Sequence, residues 1–193
     1  MFNIQDLVGS KHRISRHLQQ RGVADVIEDL VADLIITRHS GTPARSKRSI
    51  EDVMVGDTTY VDIKTRDINA DFSMPNLISI ERLRKLYTNP LNELVLIFVD
   101  YEIVTEENDQ SIYTQERYVI IRSVEIRPIE TISWDNLHIQ ALGKGQLQLK
   151  DAHDPIKQYP YDRQEWLGTL KWAALDFIDK QQAKLCKYRQ NWV

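Results

Sequence analysis

The stretch Ile50-Glu51-Asp52-Val53-Met54-Val55-Gly56-Asp57-Thr58-Thr59-Tyr60-Val61-Asp62-Ile63-Lys64-Thr65 decides how this chain is read. Two β-prone runs, Ile50 to Val55 and Thr58 to Thr65, meet at Gly56-Asp57, a pattern that predicts a hairpin. Four acids, Glu51, Asp52, Asp57 and Asp62, lie on or beside it. Side chains alternate along a strand, so Val61 and Ile63 share one face while Tyr60, Asp62 and Lys64 share the other. On the first run Val53 and Val55 match the apolar parity, which leaves Ile50, Asp52 and Met54 on the side of Asp62. A three-residue loop of Gly56, Asp57 and Thr58 sets Asp52 directly across from Asp62. A two-residue Gly56-Asp57 turn sets Glu51 there instead. Asp52 is the favoured partner and Glu51 the fallback.

Two carboxylates facing each other across a sheet repel unless a cation lies between them. Ligands that are all oxygen suit Mg²⁺. Lys64, two residues on and on the same face, adds an ammonium within reach of whatever such a metal holds, and metal plus ammonium makes a site for a phosphodiester. The plainer alternative is an exposed hairpin on which Asp62 and Lys64 are surface charges. Glu28 precedes the hairpin on a helix, about 100° round from Ile27, where it either leans inward as an auxiliary ligand to metal or water or stands as a surface charge. Asp57 sits at the turn, where Asp serves the backbone.

Working outward, Val23, Ile27, Leu30, Val31 and Leu34 follow the rhythm of one helix face, and Ser40-Gly41-Thr42-Pro43 ends that helix. Gly22 separates it from a second helical pattern upstream. Downstream, Asn76 to Tyr87 reads as a helix and Leu94 to Asp100 as a strand buried on both faces. A further strand runs from about Arg117 to Ile126, and short strands at His138 to Ala141 and Gln146 to Lys150 flank Gly143-Lys144-Gly145. Arg163 to Arg189 is mostly helical. The order implies an α/β or α+β fold with a central mixed sheet flanked by helices. At 193 residues, with no repeat and no linker, one domain over 1–193 is expected.

Composition narrows the function classes. Apolar residues make up 42% and charged ones 27%, as in globular chains and unlike disordered ones. The longest aliphatic run, Leu94 to Val99, is six residues, far short of the roughly 20 that cross a bilayer, so no membrane partner is expected. MFNIQDLVGSKHR has no apolar stretch after a basic start, and the lone Cys186 forms no internal disulfide, which together point to the cytoplasm. The net charge is −3, yet basic residues cluster in acid-free islands: Lys11, Arg13, Arg16 and Arg21; Arg38, Arg45, Lys47 and Arg48; Lys180, Lys184, Lys187 and Arg189. Such islands can form a phosphate-facing surface. The histidines show no ligand spacing, and Trp134, Trp166, Trp172 and Trp192 are read as core or interface.

Asp52, then Asp62-Ile63-Lys64 ten residues on, preceded by a helix with Glu28 and followed by a helix and a buried strand, resembles the PD-(D/E)XK nuclease superfamily and its type II restriction endonucleases. Asp62-Ile63-Lys64-Thr65 is similar to the active-site strand of the EcoRV-like, blunt-cutting branch. The resemblance covers roughly Val23 to Tyr101 and departs from the pattern at Glu51, which stands in place of a proline that many members also lack. A second, looser likeness runs from Trp134 to Gln148. The resemblance implies that Asp52, Asp62 and the main-chain carbonyl of Ile63 bind Mg²⁺, with Mn²⁺ as substitute. It further implies that Lys64 orients or deprotonates the attacking water, and that cleavage leaves a 5′-phosphate and a 3′-hydroxyl.

The segment Arg66 to Asn76 leaves that strand rich in short polar groups, so Arg66, Asn69, Ser73 and Asn76 are expected DNA contacts. In the late segment Gln140, Lys144, Gln146 and Gln148 carry donors and acceptors for base edges. The expected function is Mg²⁺-dependent, sequence-specific cleavage of double-stranded DNA by a homodimer, as in a restriction-modification system, because a palindrome cut on both strands calls for two related sites. The alternatives are a structure-specific repair or junction-resolving nuclease of the same superfamily, and a non-catalytic DNA-binding protein.

Overall fold

Alternation on one strand organises the structure. Val61 and Ile63 turn inward and are no more than 1% exposed, while Asp62 and Lys64 take the opposite face. The computed structural model of the chain describes residues 2–44, 46, 49–70, 76–107, 115–140, 145–151 and 154–190. In chain order its elements are β1 (Lys11–Ile14), α1 (Gln20–His39), β2 (Thr42–Pro43), β3 (Val53–Val55), β4 (Thr59–Asp67), β5 (Asn76–Ser79), α2 (Ile80–Leu86), β6 (Glu93–Glu107), β7 (Gln115–Pro128), β8 (Leu137–Gln140), β9 (Gln146–Leu149) and α3 (Arg163–Gln190). Short 3₁₀ turns cover Gln5–Leu7 and Ile129–Thr131. The fold is α+β, with a six-stranded mixed sheet, a second three-stranded sheet and three α-helices among the described residues. None of these helices is long and apolar enough to cross a membrane.

Backbone contacts divide the chain into two compact units, Met1–Ser73 with Leu91–Pro128, and Met74–Pro90 with Ile129–Val193. The first unit holds the sheet ordered β1-β7-β6-β4-β3-β2, in which β4 and β6 are parallel and every other pair is antiparallel. Along α1, Val23, Ile27 and Val31 of the expected stripe are buried together with Ile35, while the expected Leu30 and Leu34 are only partly buried. They close on Val53, Val61, Ile63, Ile97, Val99, Tyr101, Val119 and Ile121. Arg122 is an extra residue in β7, where pairing shifts from Asp100 opposite Ser123 to Tyr101 opposite Ile121, and the bulge switches which positions of β7 face α1. Leu94 to Ile97 are all at most 5% exposed, as the unbroken aliphatic run predicts for a strand covered on both sides.

Two chain features fix α1 at its end. Ser40 adopts the left-handed conformation (φ 54°) at the C-cap. A Cβ on Gly41 would stand 2.7 Å from Cγ1 of Val53, so only glycine lets β2 pass this close to β3. At the sheet edge β2 is a two-residue stub ending in Pro43.

In the second unit the sheet runs β5-β9-β8, antiparallel throughout. One face carries Ile78, Leu147, Ile139, Leu137 and Leu149; the other carries Asn76, Ser79, Gln146, Gln148, His138 and Gln140. Trp166 of α3 is fully buried, donates from Nε1 to the Ile132 carbonyl at 2.9 Å, and lies 5.1 Å from the ring of Trp134.

Two sequence expectations need correction. The pattern before Gly22 is not helical: Lys11–Ile14 pairs with Ile120–Arg117 as an edge strand, and Gly22 lies inside α1. Asn76 to Tyr87 is not one helix either. Its first four residues form β5 against β9, and the helix starts at Ile80, capped by Ser79 Oγ accepting the Arg82 N–H at 3.3 Å.

Candidate active site

The hairpin loop is the three-residue Gly56-Asp57-Thr58, with Val55 opposite Thr59 and Val53 opposite Val61. Gly56 takes φ 62°, the left-handed conformation a loop of this length needs and glycine adopts without strain. Asp57 is exposed in the loop.

The ladder ends at Val53, one residue before the expected rung between Asp52 and Asp62. The Asp52 N–H donates to the Val61 carbonyl at 2.8 Å, and the Asp52 carbonyl accepts the Ala44 N–H at 2.9 Å. The chain therefore peels away from β4 at Asp52, exposing one strand edge. There Asp52 Oδ2 accepts the N–H of Ile63 at 2.7 Å, so a side chain completes what the departing strand leaves open. In an extended strand a residue's N–H and C=O point to the same edge, so the Ile63 carbonyl faces this opening too.

Asp62 is 7% exposed, and Lys64 Nζ lies 2.7 Å from its Oδ2 and 2.9 Å from its Oδ1. A buried carboxylate is tolerated only with such a partner. Glu28, half-buried on α1, shares the same field. Its carboxyl is pushed up to about 7, first by burial and then by the negative charge of Asp52; Lys64 opposes the rise, and Asp25 and Asp62 add to it. The structure thus brings Glu28, Asp52, Asp62 and Lys64 into one electrostatic group. Asp52, and not the fallback Glu51, binds Ile63 and is the charge felt most by Glu28.

A neighbour absent from the sequence reading is Tyr101 of β6. It is 2% exposed, and its hydroxyl is pushed up to about 12 by burial and by the charges of Asp67 and Glu28, so it stays a neutral O–H donor beside them. No spacing signal marks it, because it lies beyond Asp100, just past the aliphatic run Leu94 to Val99.

The expected DNA contacts divide. The guanidinium of Arg66 is held by Asp100 through two bonds of 2.7 and 2.6 Å, and Asp100 also accepts from Ser123 Oγ at 2.8 Å. Arg66 is therefore a strut between β4 and β6. Asn69 is exposed and donates its N–H to Asp67 Oδ1 at 3.0 Å, closing a tight turn after β4. Ser73 and Lys144 lie outside the described residues. Asn76, Gln140, Gln146 and Gln148 all belong to the polar face of the second unit's sheet. There Gln148 Nε2 donates to Asn76 Oδ1, and Gln140 stands opposite Gln146.

Among the described residues, no three His, Cys, Asp or Glu side chains are grouped so as to hold a metal ion, since Asp52 is turned to Ile63 and Asp62 to Lys64. The donor set nevertheless fits Mg²⁺ in kind. Carboxylates and a strand-edge carbonyl are all oxygen, and the rise in Glu28, due first to burial, carries a second contribution from the negative charge of Asp52 that a cation would offset. Set against known proteins, the chain matches no protein-family model and no curated protein.

Proposed function

We propose that this chain is a Mg²⁺-dependent endonuclease acting on double-stranded DNA, a type II restriction enzyme of the PD-(D/E)XK kind that works in the cytoplasm as a homodimer on a palindromic site. The observation that carries the reading is the gathering of Glu28, Asp52, Asp62 and Lys64 where β3 leaves β4. Asp52, Asp62 and the Ile63 carbonyl are the groups that would hold Mg²⁺, with Mn²⁺ as substitute. When bound, the ion neutralises charge on the scissile phosphate and acidifies water. Lys64, anchored to Asp62, orients the water that attacks phosphorus in line with the 3′-oxygen. Glu28, poised near neutrality, accepts or returns a proton through that water.

The test is incubation of purified full-length protein with genomic and plasmid DNA plus Mg²⁺, followed by sequencing of the ends. Discrete fragments with 5′-phosphates, lost in Asp62→Ala and in Lys64→Ala, support the reading. Smears or nicks at branched structures would assign the site to a structure-specific nuclease instead. Cleavage retained by folded Asp62→Ala would remove the assignment.

A further inference from the structure

The C-terminal half of α3 has little to do with the core. Only Trp166 and Leu170 of this 28-residue helix are buried, and residues 182–190 are all exposed. After Asp179 the helix carries Lys180, Lys184, Lys187 and Arg189 and, through Gln190, no acid. At about 100° per residue, Lys184 stands roughly 40° from Lys180 and Lys187 about 20° on the other side, whereas Arg189 lies on the far face. Three ammonium groups therefore line one arc over about 10 Å of helix axis. Leu185 and Ile178 lie roughly opposite them, so this stripe is separate from the apolar one.

Lys184 and Lys187 have no ion-pair partner among the described residues, and Lys180 has only Asp176, an exposed pair at 2.7 Å that competing anions displace readily. Cations in the last turns also suit the helix dipole, but the dipole is indifferent to which side of the helix they occupy. Confinement of three to one arc needs another reason.

From this charge pattern we infer that the Lys180–Lys184–Lys187 face of α3 is a contact surface for the phosphate backbone of duplex DNA. The inference rests on the nuclease reading and adds to it a sequence-independent anchor, whose lysines neutralise phosphates and read no bases.

The experiment measures binding of the full-length chain to labelled duplex DNA in EDTA, where no cleavage occurs, across a series of NaCl concentrations. Replacing the three lysines together (Lys180→Gln, Lys184→Gln, Lys187→Gln) should flatten the slope of log affinity against log salt by about 2 to 3, close to 0.9 per phosphate released. The matching Lys→Arg triple should keep the slope, and circular dichroism should show equal helix content in both. A slope unchanged in the Gln triple, with duplex binding retained, overturns this surface and leaves the nuclease reading standing. A parent chain that binds no duplex overturns both. Loss of binding to phosphatidylserine vesicles in the Gln triple, with duplex binding intact, overturns the inference in favour of an anionic membrane.

Discussion

Asp52 performs two tasks that can be separated by chemistry. Its oxygen accepts the Ile63 N–H, and its charge acts on Glu28. Asp52→Asn keeps an acceptor and discards the charge, so the variant should fold with near-normal stability in urea titrations. If the site cleaves DNA as proposed, its plasmid cleavage should fall by roughly two orders of magnitude or more. Asp52→Ala removes both and should also lose about 1–3 kcal/mol, because a partly buried N–H is left unpaired. Glu28 gives a pH signature. Its folded value is about 7 against the ordinary 4.5, so the folded chain holds a proton that the unfolded chain releases between these limits. The associated stability is complete below the lower value and is lost as pH rises through the upper one. Urea midpoints should therefore fall between pH 5 and pH 8 in the parent. Glu28→Gln should abolish that fall, recovering about 1–2 kcal/mol at the alkaline end after allowance for solvent screening of a half-exposed group.

Among the elements, the junction of α1 with β2 and β3 is the least forgiving. Gly41→Ala places a methyl group 2.7 Å from Val53 Cγ1 and 3.3 Å from the Ile36 Cα, one of them main chain that has nowhere to move. A loss of about 1–3 kcal/mol is expected by thermal or urea unfolding, with the site's residues left chemically intact. What the sequence made legible here is whatever follows from period alone. Val61 and Ile63 alternate with Asp62 and Lys64, Val23 to Leu34 recur at helical spacing, and Leu94 to Val99 are too apolar to face water, so α1, β4 and the first half of β6 follow directly, whereas β6 runs on to Glu107. Lys11–Ile14 is not legible as a strand, because a four-residue edge strand with only Ile14 buried carries almost no alternation. Asn76–Ser79 was absorbed into a helix because Leu77 and Ile80 fit a helical spacing equally well, and only pairing with β9 decides between the two. At the site, parity puts Asp52 on the face of Asp62, but the departure of the chain at Asp52 shows only in its backbone bonds to Val61 and Ala44, which no local pattern encodes.

At the scale of the whole chain, the proposed activity requires two copies acting on two strands, and mixing tests it. A purified excess of Asp62→Ala chain, allowed to exchange with parent chain, should form mixed dimers that cut one strand only. Supercoiled plasmid would then accumulate as open circles before any linear product, whereas parent dimers should give linear DNA. Linear product persisting in proportion to the parent chain, with no excess of open circles, would show that each chain cuts on its own. The division into two units has a bearing on function as well. The carboxylates and Lys64 belong to the first unit, while Asn76, Gln140, Gln146 and Gln148 share a sheet face in the second. If the chain acts on DNA as proposed, substitutions in the second group are expected to change which fragments a plasmid digest yields, with the residues of the first group unaltered.

The shape of β2 has a consequence for how copies of this protein meet. A strand of two residues whose second is proline offers a neighbour almost no N–H to pair with, and the opposite border, β1, turns the exposed Lys11 and Arg13 outward. Both margins of the large sheet thus resist being zipped to another chain. Pairing through either edge of this sheet is disfavoured, which guards it against fibril-like stacking, and the proposed homodimer would have to be joined elsewhere.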